Sequence, residues 1–276
     1  GVVIRQTDLP AVALVSARIW IAAPALALFL RTTQRDRARD WRLTPRLALN
    51  GVVLAAHWVS FIAALQRAPI GTVLLITYLA PVGIAALAPA VLGEVVATRT
   101  KIALGLAVVG IALIALPQVD GASRDGIALA FVTGLLYVGL ALSNKKLSDE
   151  HGGVHLALWQ LLVAGSVLLP FSLVSDWGAA GADWGWLLVL GLVYTAFAFG
   201  AYLTALAHLP ATRAAVLLYM EPASAVLFGW LLLDERPTWA TLAGGMLVVG
   251  AGVLVVRVPV AADGPPIHLG VTDAVG

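Results

Sequence analysis

Residues 75–94 read LITYLAPVGIAALAPAVLGE and residues 216–235 read VLLYMEPASAVLFGWLLLDE; the second stretch lies 141 positions after the first and keeps its Tyr, its Pro and its final Glu. The correspondence continues on both sides without a gap. Ala64 pairs with Ala205, Leu65 with Leu206, Pro69 with Pro210, Tyr78 with Tyr219, Pro81 with Pro222, Glu94 with Glu235 and Thr100 with Thr241. Residues 61–115 thus recur as residues 202–256. A repeat of this length in an apolar chain points to two half-bundles around a shared site, the plan of many secondary transporters.

Composition sets the solvent. Hydrophobic residues make up 61% of the chain and charged residues 12%, and the mean hydropathy is +0.95, far more apolar surface than a soluble domain buries. Spanning a bilayer as a helix takes about 20 apolar residues, because every backbone polar group must be bonded within its own segment. Nine such runs are present, over residues 10–30, 46–66, 70–92, 100–117, 126–146, 154–174, 184–206, 211–233 and 239–256. The chain has no cysteine, hence no disulfide framework and no thiolate metal site.

Nine spans fit a duplication only if one is missing. Subtracting the offset from 126–146 places its partner before Gly1, ending near Arg5, so the expectation is ten helices, five per half, with most of the first absent. The first repeat then covers 1–117, the second 126–257, and 258–276 form a tail. An odd number of helices per half inverts the second half relative to the first. The loop charges fit this layout: Arg31, Arg35, Arg37, Arg39, Arg42, Arg46, Arg99, Lys101, Lys145, Lys146, Arg213 and Arg257 fall on one side, and Arg5, Arg67, Arg124 and Arg236 on the other. The richer side is the cytoplasmic one, which places both termini of the complete protein in the cytoplasm and the bundle in an inner membrane. That rule explains the Arg run at 31–46 without a nucleic-acid partner. Trp41, Trp177, Trp184, Trp186, Trp230 and Trp239 sit near span ends as interfacial anchors; Trp20, Trp58 and Trp159 lie deeper.

These residues resemble the EamA-type branch of the drug/metabolite transporter superfamily. The resemblance rests on Tyr78, Leu79, Ala80 and Pro81 through Gly93 and Glu94, on Tyr219, Met220, Glu221 and Pro222 through Asp234 and Glu235, and on the helices that follow, with Thr100, Gly105 and Gly110 and with Thr241, Gly244 and Gly245. Arg18, early in its helix, fits the same habit. The resemblance covers essentially the whole chain and implies ten helices in two inverted five-helix repeats and export of amino acids, amines, nucleosides or other metabolites.

Charges in the hydrocarbon core normally face a cavity or a partner, so they are the first places to look for a site. Arg18 lies about 12 Å into its span by helical rise. It suits a substrate carboxylate, but the repeat partner at its position is Trp159, which favours a structural role. Glu221, near the midplane, suits an amine-bearing substrate or a coupling proton, or it holds the Pro222 kink through a neighbouring helix; its counterpart is Ala80. His57, beside Trp58, suits a proton relay or an amino-acid ligand, with packing as the alternative. His155 and His208, near span ends, are read as solvated. Pro81 and Pro222 each free a carbonyl in mid-span, and interruptions at corresponding positions of two halves mark transporter binding sites. Tyr78 and Tyr219 precede them by about one turn and share their face. Tyr194, Phe197, Phe199 and Tyr202 crowd one helix, though spacing forbids all four from facing one cavity.

The expected substrate site is thus Tyr78, Trp58, His57, Trp159, Tyr202, Tyr219 and Glu221, with the kinks at Pro81 and Pro222, no catalytic residue, no cofactor and no metal. No HExxH or GxSxG motif occurs, and Asp234–Glu235 and Asp149–Glu150 are sequence neighbours that do not face each other, so an enzyme is not expected. The reading is an all-α secondary transporter in contact with membrane lipid, exporting small metabolites by alternating access. Amino acids with apolar or aromatic side chains are the favoured substrates. A multidrug or quaternary-amine exporter is the alternative, and a non-transporting sensor follows behind.

Overall fold

The computed structural model of the chain describes residues 9–33, 42–118, 123–178, 180–224, 227 and 237–257. Helix α1 spans Ala11–Thr33, α2 Pro45–Leu65, α3 Ile70–Thr77, α4 Ala80–Leu92, α5 Thr98–Ala115, α6 Arg124–His151 and α7 Gly153–Leu173. After α8 (Ala180–Leu188) comes a π-helical stretch at Val189–Phe197, continued by α9 (Ala198–Leu206), α10 (Ala211–Leu218) and α11 (Trp239–Val256). Among the described residues eight helices are long and apolar enough to cross a membrane, with α3 and α4 sharing one span and α8, the π stretch and α9 another. The expected span at 211–233 and the anchors Trp41 and Trp230 fall partly or wholly outside the described residues.

Local chemistry sets the helix ends. Thr44 caps α2 by accepting the Leu47 amide at 3.3 Å, with Pro45 in the first turn. Ser123 caps α6 through the Gly126 amide at 3.1 Å, and its own hydroxyl donates to the Arg67 carbonyl at 2.7 Å, tying α6 to the α2–α3 turn. Helix α4 stops at Gly93, whose φ of 69° is the left-handed conformation that terminates helices.

The repeat reappears in the coordinates as repeated boundaries. Helices α3 and α10 are both eight residues long, begin 141 positions apart and follow prolines of nearly identical backbone, φ −54°, ψ 143° at Pro69 and φ −55°, ψ 141° at Pro210. Helices α5 and α11, 18 residues each, keep the same offset. These two pack on one another through matched positions: Ala103, Ala107, Gly110, Ile111 and Ile114 are buried, and so are their counterparts Gly244, Val248, Ala251, Gly252 and Val255. They cross closely, and Gly110 meets Gly244 rather than its own counterpart Ala251, a register that fits an antiparallel crossing. A β-carbon on Gly110 would lie 2.7 Å from the Gly244 carbonyl oxygen, and one on Gly244 2.5 Å from the Gly110 oxygen, so backbone meets backbone there, as small residues permit in membrane helices.

Two sequence expectations change. Arg213, read as a loop cation, is 3% exposed inside the first turn of α10. His155, read as solvated, is 7% exposed, and its Nε2 accepts the Trp159 indole N–H at 3.0 Å. In both cases the residue lies in the first turn of its helix, and that turn is buried by packing rather than open to solvent. His208 is exposed.

Candidate functional site

The site grows from the two helix breaks. At the end of α3 the Tyr78 amide bonds to the Leu74 carbonyl at 2.8 Å and the Leu79 amide to Ile76 at 3.1 Å; Pro81 has no N–H, and the Val82 amide turns to Leu79 at 3.0 Å. The Tyr78 carbonyl is thereby left without its helical donor. The Tyr219 hydroxyl takes that place, donating to it at 2.5 Å, and the two rings lie 5.6 Å apart. Strict symmetry would have the Tyr78 hydroxyl return the bond to Tyr219. It donates instead to Glu221 Oε2 at 2.9 Å, an acceptor that the first half, with Ala80 at the matching position, does not have.

Glu221 is exposed, about 15 Å along its span by helical rise, and its bond from Tyr78 ties it to a helix of the other half. Opposite it, the Arg18 guanidinium lies 3.9 Å from the centre of the Trp58 ring, a cation–π contact, and its Nε donates to Thr195 Oγ1 at 2.9 Å. Thr195 is aimed inward by the π-helical stretch, and its hydroxyl donates to the carbonyl five residues back, Leu190, at 2.8 Å. Arg18 and Glu221 form no ion pair within 4 Å; among the described residues the ion pairs involve Arg46, Lys145 and His151. A gap therefore separates the Arg18 guanidinium from the Glu221 carboxyl.

Aromatic rings frame that gap. His57 donates Nδ1–H to the Thr133 carbonyl at 3.0 Å, since a carbonyl can only accept, and so presents Nε2 as an acceptor. Its ring stacks on Tyr137 at 5.5 Å and on Phe61 at 6.5 Å. The buried Tyr137 hydroxyl neighbours that of Tyr202, and among the described residues it makes no hydrogen bond of good geometry. A buried donor of that kind calls for a functional account. Trp58 packs edge-on against Phe199 at 5.4 Å.

Of the residues singled out in the sequence, His57, Trp58, Tyr78, Tyr202, Tyr219 and Glu221 come together here, with Pro81 and Pro222 buried behind the tyrosines. Tyr219 is 0% exposed, so it reaches the gap only through Tyr78. Trp159 stands apart, its hydrogen bond and its ring contact among the described residues both made with His155. The crowded rings divide as spacing required: Tyr194 and Phe197 are exposed, and Phe199 and Tyr202 face inward. Sequence reasoning overlooked Tyr137, which stands one turn from Thr133 and carried an intramembrane hydroxyl as its signal. It also overlooked Thr195, whose orientation depends on a π-helix without any marker in the sequence.

A second cross-bundle contact lies at the other end of the broken spans. Glu94 is 5% exposed, and its carboxylate accepts the Ala211 amide at 2.7 Å, the Thr212 amide at 3.3 Å and the Thr212 hydroxyl at 3.2 Å. Pro210 offers no side-chain cap, so an acid from the end of α4 caps α10.

A multi-pass helical bundle with paired helix breaks and an inward-facing charged, ring-lined centre is the architecture of a membrane carrier. Comparison with known proteins makes the class specific: the profile of the EamA-like transporter family matches residues 1–116 and 124–257, and the chain belongs to that family. It is similar to an uncharacterized transporter of Archaeoglobus fulgidus, 31% identical over 221 residues that cover 80% of this chain and 78% of the relative. It is also similar to the pseudopaline exporter CntI of Pseudomonas aeruginosa, at 27% over 91% and 88%, and to the threonine/homoserine exporter RhtA of Escherichia coli, at 27% over 80% and 73%. One solved crystal structure superposes with a TM-score of 0.77 at 16% identity, covering 90% of this chain and 87% of that one, a likeness of fold.

Proposed function

We propose that this chain is a secondary exporter of amino acids, with Arg18 receiving the substrate carboxylate and Glu221 its ammonium, and that Trp58, Tyr78, Tyr137 and Tyr202 flank an apolar or aromatic side chain. The observation that carries this reading is the unpaired opposition of Arg18 on Trp58 to Glu221 on Tyr78. Separated fixed charges of opposite sign match a zwitterion and discriminate against an amine without a carboxylate. The names of the relatives CntI and RhtA, both exporters, agree with it. Export proceeds by alternating access between two inverted repeats, a relation supported by the antiparallel pairing of α5 and α11 and by the shared 141-residue offset. The inner membrane, with cytoplasmic termini, follows from the positive-inside rule, and Glu221 can carry a coupling proton when no substrate ammonium is bound.

Counterflow in liposomes tests the reading. The purified chain is expected to exchange labelled amino acids, Arg18→Gln to lose them by about tenfold or more, as expected when a buried charged hydrogen bond is removed, and Arg18→Lys to recover part of the loss. The alternative of lipophilic or quaternary amines draws on Glu221 and the rings alone. It prevails if amines exchange in the wild type and in Arg18→Gln alike while amino acids exchange in neither.

A further inference from the structure

On the lipid-facing side of the break in the expected span 211–233 lies a groove of about 310 Å³ with almost wholly apolar walls. Leu217 in α10 and Met220 just past its end form one wall, and Val249, Gly252 and Val253 of α11 the other, with Arg257 at the mouth. The groove exists because position 252 is glycine, where a β-carbon would already approach the Met220 sulfur to 3.2 Å. From Val249 to Arg257 it runs about 12 Å by helical rise, nearly the depth of one leaflet of a hydrocarbon core about 30 Å thick. Val249, Val253 and Arg257 are exposed, so it opens sideways to lipid.

The mouth is basic. The antiparallel register that sets Gly110 against Gly244 and Val248 brings Lys101, at the start of α5, to the same end of the helix pair as Arg257, and both are exposed. An apolar channel as deep as a leaflet with two cations at headgroup height fits an amphiphile with an anionic head. The same charges disfavour a second copy of this chain, because a two-fold contact through this face would bring Arg257 and Lys101 against their own kind. We propose that the groove seats one acyl chain of an anionic phospholipid whose phosphate rests on Arg257 and Lys101.

Native mass spectrometry of the detergent-purified full chain, titrated with phosphatidylglycerol or with phosphatidylethanolamine of the same acyl chains, tests this. Wild type is expected to hold one phosphatidylglycerol in preference to phosphatidylethanolamine. Arg257→Gln should weaken phosphatidylglycerol alone, by about fivefold for one cation near the headgroups, and Arg257→Lys should restore it. Gly252→Leu, which fills the channel, should lose both lipids. Unchanged preference in Arg257→Gln would overturn the proposal without reference to whether Gly252→Leu folds. So would a dimer in place of the lipid adduct, which would assign the face to a second copy.

Discussion

At the scale of single residues, the tyrosine pair at the breaks separates two kinds of contribution. Tyr219 is wholly buried and satisfies the Tyr78 carbonyl; Tyr219→Phe leaves that acceptor unpaired, and we expect a stability loss of about 1–3 kcal/mol, read as a lower melting temperature in detergent. Tyr78→Phe removes only a donor to an exposed carboxylate and should leave melting nearly unchanged while altering exchange. The reverse order would refute this division of roles. Glu221→Gln keeps the bond from Tyr78 but not the carboxylate, so amino-acid exchange should fall; exchange equal to wild type would leave Glu221 with only a structural part. The sequence alone exposed these residues because a Glu, a Tyr or a His in mid-span stands out against an apolar background. Arg18 was assigned a structural role there for want of a matching cation in the other half. Its contacts, Trp58 and Thr195, lie on other helices, and only packing reveals them.

Among the elements, the expected spans and the helices largely coincide, because apolar length is what a membrane helix is made of. What periodicity does not encode is how a helix departs from regularity. The two prolines announced the breaks, whereas the π-helical stretch of Val189–Phe197 has no local signature. Caps contributed across the bundle are equally silent: Glu94 reads as a span-end acid, but its carboxylate holds the first amides of α10. Glu94→Ala should cost about 1–2 kcal/mol, the usual value of a helix cap, whereas Glu94→Gln, which still accepts, should cost less; equal losses would mean that the charge and not the hydrogen bonds is what matters. The α5–α11 crossing is less forgiving. Gly110→Val forces side chain into backbone at Gly244, and overpacking of about 1–3 kcal/mol should appear as reduced thermal stability, with Gly105→Val, which meets open space, as the neutral control.

For the whole molecule, the proposed inversion has a direct topological test. Arg67 and His208 stand 141 positions apart, and both are exposed. The chain contains no native cysteine, so Arg67→Cys and His208→Cys each give a unique thiol. In sealed vesicles a membrane-impermeant maleimide should label one from outside and the other only after permeabilisation; labelling of both from the same side would establish a parallel repeat. The departure from symmetry at the centre has a kinetic consequence. In the proposed alternating-access cycle, equivalent halves would give the states open to either face equal energy, and a substrate would half-saturate the carrier at the same concentration from each side. Because Glu221 draws the Tyr78 hydroxyl away from its mirror partner while Ala80 cannot do the same for Tyr219, that degeneracy is lifted. A bias of about 1 kcal/mol is roughly a fivefold difference in occupancy. Uncoupled net transport into a substrate-free compartment should then show unequal half-saturation constants at the two faces, with maximal velocities unequal in the same proportion, which would make the carrier a sensitive receiver on one side of the membrane and a high-capacity one on the other.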